Sequence, residues 1–192
     1  MTPDFTTTGI PAEWQMLLYR IQRIEPRAII AGGALRDHYL GRPVNDLDIF
    51  VPDKGGDATS VVQLDRPRLV HQVPEPYMIF DSEVRQIGLW ASDTHDLTPV
   101  NLVHVSDYAC TPWDQINRFD FGICQIAYDG KQLHMTSAFC RDVSQKTFTY
   151  TRAHPTEAQH EQSMKRYERL QAKYDGWKLV EPKKTEDLFG DL

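Results

Sequence analysis

Two neighbouring stretches of the chain carry residue types and spacings suited to chemistry: Gly32-Gly33-x-x-Arg36-Asp37 and Asp46-Leu47-Asp48. Side chains along an extended segment alternate between faces, so Asp46 and Asp48 are expected to point the same way. Leu47 and Ile49 then point to the opposite, buried side. Two carboxylates held side by side repel unless a cation lies between them. A hard ion such as Mg²⁺ (or Mn²⁺) takes one or two protein carboxylates and fills its other positions with water and phosphate oxygens. The paired glycines supply the complementary half, because a backbone without Cβ atoms approaches a ligand closely and free N–H groups opening a helix favour an anion. Alone, a glycine pair is usually a turn and an Asp-x-Asp is often a solvated strand edge. Their order, their separation and the intervening Arg36-Asp37 give the combination its weight.

The elements that must position these residues are readable. Ala28 to Ala31 is a short apolar run, as a buried strand ending in a tight turn would be. Ala34 to Leu40 suits a two-turn helix, with Gly41 where a left-handed C-cap is easiest and Pro43 just beyond. Asp46 to Val51 alternates acid and apolar, as in a strand with one wet face. Upstream, Pro11 suits the first turn of a packing helix with Trp14, Leu17, Leu18, Ile21 and Ile24 on one stripe. Arg20, Arg23 and Arg27 near its end complement the helix dipole. Downstream, Pro52 to Ser60 reads as a loop, and Leu69 to Val73, Val84 to Trp90 and Val100 to Val105 read as short strands. Pro112 to Arg118 suits a short helix, and Phe119 to Tyr128 alternates as a strand closing at an Asp129-Gly130 hairpin turn. Lys131 to Tyr150 continues the pairing, through Leu133 and Met135 and then Phe148 and Tyr150, around a turn or short helix over Ser137 to Asp142. Pro155 to Tyr174 is a second clear helix, with Met164, Tyr167, Leu170 and Tyr174 as its apolar stripe. Arg166, Arg169 and Lys173 form a basic row on it, either a solvated face offset by Glu161 and Glu168 or a clamp for a triphosphate or RNA acceptor. Met1 to Gly9 reads as loose and Lys183 to Leu192 as a polar tail.

On these residues the chain resembles the polymerase β-like nucleotidyltransferase superfamily. Gly32-Gly33-x-x-Arg36-Asp37 followed by Asp46-x-Asp48 is similar to the head motif of the CCA-adding and poly(A) polymerase type. It is also similar to short stand-alone nucleotidyltransferase-like chains of phages and large viruses. The resemblance implies an α+β, minimal polymerase β-like nucleotidyltransferase fold, with a mixed central sheet flanked by helices. Residues 1–150 would form the catalytic domain and 151–192 a C-terminal helix and tail packed on it. The implied activity is Mg²⁺-dependent transfer of NMP from an NTP to a hydroxyl acceptor, foremost RNA or tRNA. The alternatives are a toxin-like enzyme modifying a protein or small molecule, and a non-catalytic nucleotide- or partner-binding domain. Asp46 and Asp48 would hold metal, Gly32 and Gly33 would cradle the triphosphate, and Arg36, Arg166 and Lys173 would offset its charge. Superfamily members often carry a third acid on a neighbouring strand, where this alternation offers Asn101. Asp120, flanked by Phe119 and Phe121, is the other candidate for third metal ligand or base. Its plain reading is a helix-to-strand junction acid, or a partner for Arg118 or Arg141. The helical neck and body through which CCA-adding enzymes select bases have no recognisable match.

The bulk properties fit one domain. The chain has 192 residues, 41% hydrophobic and 25% charged, enough to bury a core. Its net charge of −6 argues against a broad basic surface for gripping nucleic acid non-specifically, though not against a local basic groove. Cys110, Cys124 and Cys140 have no metal-like spacing and read as reduced thiols of a cytoplasmic protein. His154 and His160 do not suggest a zinc site. No apolar run approaches membrane-spanning length and no basic-then-apolar leader opens the chain, so no membrane partner is expected.

Overall fold

A computed structural model describes residues 9–73, 81–93, 96–106 and 111–181. The architecture is α+β, built on a mixed sheet of seven strands in the order β3-β4-β5-β2-β1-β6-β7. These are β1 (Ile29–Ala31), β2 (Leu47–Pro52), β3 (Arg68–Val73), β4 (Val84–Ala91), β5 (Val100–Val105), β6 (Ile126–Tyr128) and β7 (Leu133–Met135). Every neighbouring pair is antiparallel except β2 and β5, which run parallel and place Asp48 opposite Asn101. A parallel pair needs a crossover. Helix α3 (Ala58–Gln63), β3 and β4 fall between the two strands in the chain.

The pleat sorts the residues into two cores. Ile30, Leu47, Ile49, Val51, Val100 and Leu102 join one apolar cluster with Trp14, Leu17, Leu18 and Ile21 of α1 (Ala12–Gln22). Ile29, Ala31, Phe50, Val103 and Val105 join the other, together with Ile87 and with Ile116 of α4 (Pro112–Ile116). The face that holds Phe50 and Val103 also carries Asp48 and Asn101, because strand neighbours two apart share a side.

Several local expectations are met with small shifts. Helix α2 (Gly33–Tyr39) begins one residue earlier than expected, and Gly41 follows it at φ +64°. The hairpin between β6 and β7 turns through Gly130 at φ +88°. Helix α6 (Glu157–Lys173) opens with a reciprocal capping box between Thr156 and Gln159.

Other expectations are corrected. The loop expected over Pro52 to Ser60 gives way to α3 at Ala58, capped by the Asp57 side chain, which accepts from the Ser60 backbone N–H at 3.1 Å. Ile24 lies beyond the end of α1 and is 43% exposed, so it does not extend that stripe. Phe119 to Tyr128 is not one strand: Phe121 makes an isolated bridge to Tyr150, Gly122–Cys124 forms a 3₁₀ turn, and the strand proper begins at Ile126. The apolar pattern there reflects burial on all sides. A Cβ on Gly122 would stand 2.9 Å from Ala138 Cβ, where α5 (Ser137–Gln145) crosses close to the backbone. Phe148 is also outside the main sheet. It lies in β8 (Thr147–Thr149), which pairs parallel with β9 (Lys178–Val180) as a separate two-stranded sheet around α6. The Phe148 ring packs against Tyr167 and Trp177 at 5.6 and 5.5 Å between centroids. Cys110, residues 1–8 and the expected tail from Lys183 lie outside the described residues. No described helix is long and apolar enough to cross a membrane.

Candidate active site

A cavity of about 370 Å³ opens between the sheet, the turn after β1 and helix α6. Its floor is the face of β2 and β5 that carries Asp48 and Asn101 beside Phe50 and Val103. Asp46, just before β2, and Asp48, within it, both line the cavity, while Leu47 and Ile49 are fully buried on the other side. Asn101 joins the two acids: its Nδ2 donates to Asp46 Oδ2 and to Asp48 Oδ1, each at 2.9 Å. One amide nitrogen within hydrogen-bond reach of both carboxylates places the two acids side by side. Burial, and then the neighbouring charge of Asp46, push the Asp48 carboxyl up to about 6, against the opposing effects of Asn101, Arg166 and Arg36. A carboxylate held uncomfortably ionised beside another is a good seat for a cation, and the all-oxygen acids suit a hard one. Among the described residues no group of three His, Cys, Asp or Glu side chains is arranged to hold a metal, and the polar neighbour that bonds both acids is Asn101.

The glycine turn forms the adjoining wall. Gly32 sits at φ +83°, a conformation that L side chains rarely adopt, and its N–H donates to Ile126 O at 2.9 Å. A Cβ there would also come within 3.2 Å of the Phe119 ring, so two constraints select glycine. Gly33 opens α2 with the Arg36 guanidinium about 3.5 Å from where its Cβ would be.

Arg36 is itself held firmly. Its Nε donates to Asp37 Oδ1 at 2.7 Å and to the Tyr174 hydroxyl at 3.1 Å, and its Nη1 approaches Cys124 Sγ at 3.1 Å. The Tyr174 hydroxyl and Lys173 Nζ donate to Asp37 as well, and Lys173 also reaches Pro43 O at 2.7 Å. Burial opposes ionisation of Asp37, but the Arg36 hydrogen bond and charge, with Lys173 and Tyr174, outweigh it and hold the carboxyl below its usual range. Asp37 therefore orients Arg36 and ties α6 to α2.

Of the residues read from the sequence, Gly32, Gly33, Arg36, Asp46, Asp48, Arg166 and Lys173 line this one cavity. Asp120 does not: it is fully buried, and its Oδ1 accepts from Arg166 Nη1 at 3.0 Å. Its ion-pair partner is thus Arg166, in place of the expected Arg118 or Arg141. Arg118 pairs with Asp81, and both line the cavity. That pair was not foreseen, because nothing in the spacing links residues 81 and 118. Arg169, the middle member of the basic row, lines the cavity too.

The fold matches solved nucleotidyltransferases at low identity. A structure described as a tRNA-processing enzyme in an apo form is 20% identical, with TM-score 0.61 over 96% of this chain and 47% of its own. The Thermotoga maritima CCA-adding enzyme complexed with tRNA is 17% identical, with TM-score 0.61 over 94% and 42%. The Bacillus stearothermophilus CCA-adding enzyme in complex with CTP is 15% identical, with TM-score 0.56 over 89% and 42%. The chain thus spans less than half the length of these structures, and the likeness is one of fold. No curated protein matches the sequence. The Gabija anti-defense 2 family model matches residues 12–146, more than two thirds of the chain and all of its central sheet, so the protein belongs to that family.

Proposed function

We propose that the protein is a divalent-metal-dependent nucleotidyltransferase that moves NMP from an NTP to a hydroxyl acceptor, with RNA, and tRNA in particular, as the leading acceptor. The observation that carries this reading is the juxtaposition, in one cavity, of the Asp46–Asp48 pair, the Gly32-Gly33 turn and the cationic wall of Arg36, Arg166, Arg169 and Lys173. Asp46 and Asp48 would hold Mg²⁺ or Mn²⁺, which when bound supplies charge stabilisation at the reacting phosphate and activation of the acceptor hydroxyl. Gly32 and Gly33 let the polyphosphate approach the backbone. Arg36 presents a guanidinium whose direction is fixed by Asp37 and Tyr174, which lowers the ordering cost of gripping phosphate. Asp120 contributes through Arg166, by holding that cation at the cavity edge. Residues 1–150 would form the catalytic domain, with 151–192 a C-terminal helix and tail packed on it, and the helix α6 would add Arg166, Arg169 and Lys173 to the cationic wall.

The RNA acceptor is supported by the neighbours whose descriptions name tRNA, and the anti-defense family name is equally compatible with transfer to a protein. A second reading, a nucleotide-binding domain without catalysis, is favoured by Asn101 standing opposite Asp48. Incubation with each α-labelled NTP, Mg²⁺ and either total RNA or cell lysate separates these readings. Label in RNA supports the first, label in protein moves the acceptor, and no transfer and no pyrophosphate release overturns catalysis. Asp48→Ala must abolish transfer while the circular dichroism spectrum is kept.

A further inference from the structure

Carboxylates only accept hydrogen bonds, so the amide face that Asn101 turns toward Asp46 and Asp48 must be its NH₂, and the carbonyl must face away. The nitrogen sits 2.9 Å from an oxygen of each acid, delivering the partial positive charge of two N–H bonds into the gap between two like charges. Asn101 is rigidly placed for this: it lies within β5, in register with Asp48 across the parallel pair, with Val100 and Leu102 buried on either side of it. A cation bridging those same two oxygens needs the place between them that the amide nitrogen holds.

We propose that Asn101 controls loading of the cation site: its amide sits between the two acids, and a divalent ion that bridges them loads only by displacing it. Free Mg²⁺ or Mn²⁺ therefore binds weakly. A polyphosphate bound against Arg36 and Arg166 supplies the extra oxygens that let the ion win, so metal and nucleotide enter together. This inference rests on the metal-dependent reading above, in that it assigns the ion to Asp46 and Asp48.

The test is Mn²⁺ binding without nucleotide, followed by the loss of the free-ion electron paramagnetic resonance signal, on the whole chain. Asn101→Ala removes the competitor and is expected to tighten Mn²⁺ binding about tenfold, and Asn101→Asp to tighten it further. If Asn101 were instead a ligand through its carbonyl, Asn101→Ala would weaken binding, and that result, or no change, overturns the proposal. A second readout covers the case in which a variant folds poorly. In the wild-type protein, the Asn101 side-chain NH₂ resonances, assigned by their loss in Asn101→Asp, must move as Mg²⁺ and a non-hydrolysable NTP are added together, and much less with Mg²⁺ alone. Equal movement with Mg²⁺ alone overturns the coupling. Failure of every variant to bind Mn²⁺, with or without nucleotide, brings down the metal-dependent reading as well. Binding that is indifferent to Asn101 brings down only this inference.

Discussion

Asp48→Asn should make the protein more stable while silencing its proposed activity. The Asp48 carboxyl is pushed from an ordinary 3.8 to about 6, so its ionised form is disfavoured in the folded protein by about 2 pH units, or about 3 kcal/mol. Asp48 is half-buried with one side open to the cavity, and solvent there screens the charge, which reduces the expected gain to about 1–2 kcal/mol. The asparagine carbonyl can still accept the Asn101 hydrogen bond, so little is lost in exchange. For a chain of 192 residues that gain corresponds to a rise in Tm of roughly 3–6 °C at pH 7.5. The pH dependence fixes the sign. A carboxyl with a raised folded pKa destabilises the folded state at pH values above about 6, and the penalty is relieved as pH falls toward the unfolded value of 3.8. The advantage of Asp48→Asn should therefore shrink by roughly a third to a half at pH 4.5. Differential scanning calorimetry in metal-free buffer at both pH values is the assay. An unchanged or lower Tm at pH 7.5, or the same gain at pH 4.5, would refute the claim that burial, with the neighbouring charge of Asp46, strains Asp48.

Three further outcomes follow from the same geometry. Asp37→Ala leaves the buried Arg36 guanidinium without its carboxylate and frees Lys173, and should cost about 3–5 kcal/mol in urea unfolding. Gly32→Ala should cost about 1–2 kcal/mol, from the positive φ and the approach to Phe119, and should weaken binding of a fluorescent NTP analogue. Arg166→Ala strands the fully buried Asp120 carboxylate and should cost about 3 kcal/mol, with Asp120→Asn in the same chain restoring part of the loss in a double-mutant cycle.

The site was legible where chemistry and local geometry coincide. The two-residue period of a strand was enough to put Asp46 and Asp48 on one side with Leu47 and Ile49 opposite, and Gly41 and Gly130 marked turns because the backbone there needs a positive φ. Long-range partners were a different matter. That Asp120 would meet Arg166 depends on how α6 packs over the 3₁₀ turn, a tertiary outcome that no spacing encodes. The misread strand from Phe119 has the same origin, since alternating apolar residues also describe a segment buried from every direction. Helix α3 escaped notice because its signal is a single capping aspartate inside a stretch whose glycines suggest a loop.

The bonds from Arg36 to Tyr174 and from Asp37 to Lys173 close loops of 138 and 136 residues. Contacts so distant along the chain form late, because closing such loops costs entropy that nearer contacts do not. During synthesis the acidic floor can therefore exist before the part of its positive rim carried by α6 arrives. A nascent chain would offer anions only the Gly32-Gly33 turn and an Arg36 not yet held by Tyr174 until α6 docks, which makes tight polyphosphate capture a natural reporter of that docking.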